Sequence, residues 1–113
     1  MLRETPALIE RVFEVHPEVA FWRLNSERAL GEPKKVKGRP YEPGLALRRK
    51  ILVSHGVSEA AMAQPAPAGA AVDDLLDSMA CAATAQRILG GRAEPFPDPP
   101  LRDDFGLPVA IWA

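Results

Sequence analysis

Residues 72–89, VDDLLDSMACAATAQRIL, are followed directly by Gly90 and Gly91. Val72, Leu75, Leu76, Met79, Ala80 and Ala83 recur at the spacing of one helical face, and the glycine pair supplies a stop, so an amphipathic helix is predicted over 72–89. At 100° per residue from Val72 the apolar stripe centres near about 20°, with Asp73, Asp77 and Asp74 at about 100°, 140° and 200° on one flank. Aspartates at a helix start cap free N–H groups and complement the positive end of the dipole, which accounts for Asp73 and Asp74. Asp77 lies a turn further in, where aspartate is a poor helix former, so another interaction is expected to keep it there. Cys81, on the same side, is expected to be an inert small residue.

Working back from this helix, SEAAMAQPAPAGAA offers little to bury and is expected to be a flexible Ala/Pro-rich connection at about 58–71. Before it, PGLALRRKILVSHG predicts a helix ending near Gly56, with Leu45, Leu47, Ile51 and Leu52 giving an apolar stripe and Arg48 and Arg49 beside it. Residues 34–50 hold seven basic residues (Lys34, Lys35, Lys37, Arg39, Arg48, Arg49, Lys50) against one acid, Glu42, although the whole chain has a formal net charge of −1. Such a segment is either a set of phosphate contacts or a solvated loop offsetting the acids of 73–104. Further back, a strand is predicted at about 11–16, with Glu14 between Phe13 and Val15. Pro17 then opens a short helix, PEVAFWRLN. Beyond the central helix, EPFPDPPLRDD is expected to be a proline-rich loop, and GLPVAIWA a terminal strand carried by Val109, Ile111 and Trp112.

The composition bounds the rest. A chain of 113 residues with 47% hydrophobic and 26% charged side chains fits one mixed domain rather than a disordered or fibrous chain. One cysteine and two histidines cannot build a disulfide or a zinc site alone. No apolar run is long enough to span a membrane, and the first residues carry acids and a proline, so a soluble cytoplasmic protein is expected. A strand glutamate meeting a helical aspartate pair is the hard-oxygen arrangement that holds Mg²⁺ or Mn²⁺ for phosphoryl transfer, which nominates Glu14, Asp74 and Asp77. A bland alternative exists for each: an edge-strand charge for Glu14, a solvated surface position for Asp77, and a structural role for His16.

The run Glu14-Val15-His16-Pro17-Glu18 with Phe21-Trp22, the lysine loop with Gly38, the run Asp73-Asp74-Leu75-Leu76-Asp77 and the ending Gly106-Leu107-Pro108-Val109-Ala110-Ile111-Trp112 together resemble the domain-of-unknown-function family 429. The resemblance implies a predicted metal-dependent nuclease of mixed α/β class, specifically the C-terminal part of a ribonuclease-H-like fold with about two strands and three helices here. Asp74 and Asp77 also resemble the last acidic pair of Holliday junction resolvases, with Glu14 in place of their mid-sheet glutamate. Glu14, Asp74 and Asp77 are then the implied catalytic metal ligands, with His16, Lys34, Lys35 and Lys37 against a nucleic-acid strand. Such folds bring their first aspartate from an opening hairpin sheet, and this chain has no aspartate before Asp73. The expectation is an enzyme half whose sequence begins midway, or which a separate N-terminal half completes, or a degenerate remnant that lost its chemistry; a homo-oligomer is the other partner expected. The alternative is a non-catalytic interaction or oligomerisation module that uses open sheet edges.

Overall fold

The computed structural model describes residues 11–113. Four helices and four strands occur among them: α1 Pro17–Leu24, β1 Lys35–Val36, β2 Arg39–Pro40, α2 Glu42–Ser54, α3 Glu59–Met62, α4 Val72–Leu89, β3 Pro95–Arg102 and β4 Pro108–Trp112. Helix and strand are mixed as expected, but four strands and four helices stand among the described residues where about two and three were expected. Both sheets are antiparallel and two-stranded, β1 with β2 and β3 with β4.

Three helices build the core. Ala20, Phe21 and Leu24 of α1, Leu45, Ile51 and Leu52 of α2, and Leu76 and Ala80 of α4 form one buried cluster, with Val15, Met62 and Met79 packed against it. Burying Phe21, Leu52 and Leu76 removes the largest apolar side chains from water, each contributing about 1.5–3 kcal/mol. Pro17 starts α1 where its missing N–H costs nothing, and the His16 carbonyl accepts the first helical bond from Ala20. The His55 ring, just past α2, bonds the Leu24 carbonyl at the end of α1 at 2.7 Å and so ties the two helix ends together.

The buried face of α4 is rotated from the one its apolar residues predict. Asp73, Leu76, Ala80 and Thr84 are buried, while Val72, Leu75 and Met79 are only half-buried. These positions centre near about 85°, a turn of roughly 65° toward Asp73. Thr84 tolerates burial because its hydroxyl donates to the Ala80 carbonyl at 3.0 Å.

Four local expectations are revised. Residues 11–16 form no strand: Trp112 N–H donates to the Glu14 carbonyl at 2.9 Å and the Phe13 and Trp112 rings meet edge to face at 5.2 Å, but among the described residues no ladder joins them to β4. Residues 95–102, expected as loop, form β3. Its prolines are tolerated because it is an outer strand, and the register breaks between Phe96, opposite Ile111, and Leu101, opposite Val109. The Asp103 carboxylate closes this hairpin by accepting from Phe105 and Leu107 N–H at 2.8 and 2.9 Å. The lysine loop also folds, as the hairpin β1–β2 around Lys37 and Gly38, whose φ values of 53° and 74° suit a two-residue turn needing two positive φ angles. Within 58–71, Ser58 caps α3 by accepting from Ala61 N–H at 3.1 Å, so the connection carries one helical turn, and Met62 reaches the core.

The β1–β2 hairpin is fixed at its base. Tyr41 N–H donates to the Lys34 carbonyl at 2.9 Å, and Gly44 lies so close that an added Cβ would stand 1.6 Å from the Pro33 carbonyl oxygen. Alanine gains up to about 1 kcal/mol over glycine inside a helix, but overlap with unyielding backbone costs more. Gly44→Ala is therefore expected to lower stability by about 2 kcal/mol or more, read from the urea midpoint. An unchanged or higher midpoint would show that the Pro33–Lys34 backbone does not press on α2.

Candidate metal centre

The first turn of α4 sets out the acids. Asp73, Asp74 and Asp77 each offer a carboxylate oxygen, and these three atoms lie within 4.8 Å of one another. Asp73 is buried at 7% side-chain exposure and Asp77 is at 20%. Asp74 is exposed, and its Oδ2 accepts from Ala71 N–H at 3.0 Å, so it caps the helix as its position suggested. Asp73, read from sequence as a second cap, faces inward because of the rotation of α4.

The lysine hairpin lies against these acids. Lys34 Nζ donates to Asp77 Oδ2 at 2.7 Å, and Lys35 Nζ stands 3.3 Å from Asp73 Oδ2. Lys34 Nζ is also 4.0 Å from Glu18 Oε1 in α1. Glu18 is held by Arg48, whose Nη2 and Nε donate to its two oxygens at 2.9 and 3.2 Å. Arg48 is 2% exposed, donates further to the Glu32 and Gly44 carbonyls at 2.9 and 3.0 Å, and lies 5.6 Å from the Phe21 ring centroid. The interaction that holds Asp77 within its helix is thus an ion pair with Lys34.

Among the described residues, the Oδ1 atoms of Asp73 and Asp77 are buried with no hydrogen-bond partner. Leaving such an oxygen unsatisfied costs about 1–3 kcal/mol. Hard carboxylate donors at this spacing, two of them with an unused oxygen, fit a small divalent cation such as Mg²⁺ or Mn²⁺ better than a soft metal.

The remaining sequence candidates are dispersed. Glu14 is exposed on the approach to α1 and is not part of the three-acid cluster. With no strand at 11–16, nothing directs its side chain at α4, and the α1 acid nearest the lysines is Glu18. His16 is exposed at the start of α1, and Lys37 at the hairpin tip. Sequence reasoning passed over Glu18 and Arg48 as site residues. The available signal for Arg48 was its place within the spacing 44, 45, 48, 51, 52, which is the buried face of α2.

A model of the family described as protein of unknown function (DUF429) matches residues 1–102. The chain belongs to the DUF429 family. The match spans α1, the hairpin, α2 and α4, and so includes every residue of the acid–lysine cluster. No curated protein and no solved structure matches the chain. No helix among the described residues is long and apolar enough to cross a membrane.

Cys81 reports on the cluster. Burial raises its thiol pKa, and the Asp77 charge one turn earlier raises it further, since both disfavour the thiolate. Alkylation of this single cysteine is expected to need a higher pH than alkylation of an unburied thiol. Asp77→Asn removes the charge and keeps the burial, so the pH midpoint of iodoacetamide labelling, followed by mass spectrometry, moves down but stays elevated. A midpoint that does not move would mean the Asp77 charge does not reach the thiol.

Proposed function

We propose that the chain binds a divalent cation, Mg²⁺ or Mn²⁺, through Asp73 and Asp77 with Asp74 beside them, as part of a phosphodiester-hydrolysing nuclease of ribonuclease-H-like type. The observation that carries this is the pair of buried, unsatisfied Oδ1 atoms within a three-carboxylate cluster. A bound cation of this kind supplies Lewis acidity toward a phosphoryl oxygen and lowers the pKa of coordinated water. The chain's own groups hold and orient. Asp73 and Asp77 present oxygens from a rigid helix, Asp74 keeps the helix start in place, and Arg48 fixes Glu18 at the border of the cluster. Lys37 and Arg39, exposed on the hairpin, are available to the phosphates of a nucleic-acid strand, DNA or RNA.

The resemblance that brings in the ribonuclease-H-like fold also implies a first carboxylate from an opening sheet. Within this proposal that group comes from a complementing N-terminal half. A second reading, a non-catalytic interaction module, draws on the exposed Leu101, Phe105 and Val109 of the β3–β4 hairpin, at 63%, 64% and 45%.

Manganese titrated into the protein in a calorimeter is expected to give saturable binding that weakens at least about tenfold in Asp77→Asn and in Asp73→Asn, since each removes a charged ligand. Glu14→Gln is expected to leave it unchanged. Unaltered binding in Asp77→Asn rejects the site. Under the interaction reading, Phe105→Asp disperses an oligomer seen by light scattering and manganese binds no variant.

A further inference from the structure

Two lysines already meet the carboxylates that a cation would need. Lys34 and Lys35 direct their ammonium groups at the Oδ2 atoms of Asp77 and Asp73, and the Oδ1 atoms beside them have no partner among the described residues. We infer that these two ammonium groups are internal stand-ins for a divalent cation, and that cation entry frees them to contact a phosphate-bearing ligand, so that cation and phosphate bind cooperatively. This rests on the cation site proposed above.

Charge arithmetic gives the direction. Glu18, Asp73, Asp74 and Asp77 contribute four negative charges, and Lys34, Lys35 and Arg48 contribute three positive ones. The cluster is therefore negative by one charge without a dication and positive by one with it. An anionic phosphate is repelled in the first state and attracted in the second.

Mechanics agree with the charge. The hairpin backbone is held by Tyr41 N–H on the Lys34 carbonyl and by the contact between Gly44 and Pro33, so the lysines can leave the aspartates by side-chain rotation alone and stay within reach. Lys35 is 48% exposed and Lys34 25%, so both ammonium groups have a path to solvent. Lys37 and Arg39, already in solvent, continue the same basic strip.

The test compares wild type, Lys34→Met, Lys35→Met and Asp77→Asn, each checked for folding by circular dichroism. In calorimetric titrations with manganese, removing a competing ammonium is expected to tighten binding at least about fivefold in Lys34→Met or Lys35→Met, within the usual range of coupling between linked sites. Inorganic phosphate and a short oligothymidylate are then titrated with and without manganese. Wild type is expected to bind at least one of them about fivefold or more tightly with the cation present, and the lysine variants to lose that gain. Coupling to both probes identifies phosphate itself as the ligand, and coupling to the oligonucleotide alone identifies a nucleic-acid backbone. Manganese binding that is lost in Asp77→Asn but unchanged in the lysine variants overturns the exchange and leaves the cation site standing. Manganese binding by no protein overturns both, as phosphate binding indifferent to manganese overturns the cooperativity.

Discussion

The guanidinium of Arg48 organises this molecule. It is almost fully buried, and a cation removed from water is tolerable only when its donors are met. Four of its hydrogen bonds go to three separate pieces of chain: two to Glu18 in α1, one to the Glu32 carbonyl in the connection, and one to the Gly44 carbonyl in α2. A planar fork can do this where a lysine, a point charge, cannot. Fixing Glu32 sets where Pro33 and Lys34 begin, and the missing side chain at Gly44 lets them lie against α2. The position of the lysine hairpin, and hence the charge environment of the α4 aspartates, follows from one satisfied arginine.

The rotation of α4 belongs to the same account. Apolar spacing alone would point Val72, Leu75 and Met79 inward, with Asp73 at the edge. Packing against α1 and α2 instead buries Leu76, Ala80 and Thr84, and Asp73 is carried in with them. That burial is bearable because Asp73 lies in the first turn, where the helix dipole favours an anion, and because Lys35 faces it. Small residues at 80 and 84 suit close helix contact, so the energetic preference is for a tight interface over the largest apolar side chains.

The three longer helices and the closing strand were legible because each is announced by local chemistry: Pro17 at a helix start, the 44–52 and 72–89 periodicities, the double glycine at 90, and β-branched or aromatic residues at 109–112. Residues 95–102 were not, because four prolines read as loop unless the strand is known to lie at an edge. The strand expected at 11–16 has the right composition but forms no ladder with β4 among the described residues, a fact about tertiary placement that no window of sequence contains. In the cluster, the acids of α4 and the importance of the lysines could be read from composition. Their pairing could not, since Lys34 and Asp77 are 43 residues apart. Glu18 carries no local sign of its partners, while Arg48 gave a usable one: a charge centred on a buried stripe is either paired or ruinous.

Whether the acid–lysine cluster serves stability alone is decided by magnitudes. Lys35 is half in solvent and Lys34 a quarter exposed, so solvent screens part of what their ion pairs with the largely buried Asp73 and Asp77 contribute. Against them stand two buried carboxylate oxygens without partners, each costing about 1–3 kcal/mol, together with the repulsion among three acids within 4.8 Å. The helix dipole and the Asp74 cap offset part of this, so the ion pairs alone do not account for the cluster. Unsatisfied hard oxygens beside partly exposed ammonium groups are what the proposed exchange of one kind of cation for another would use.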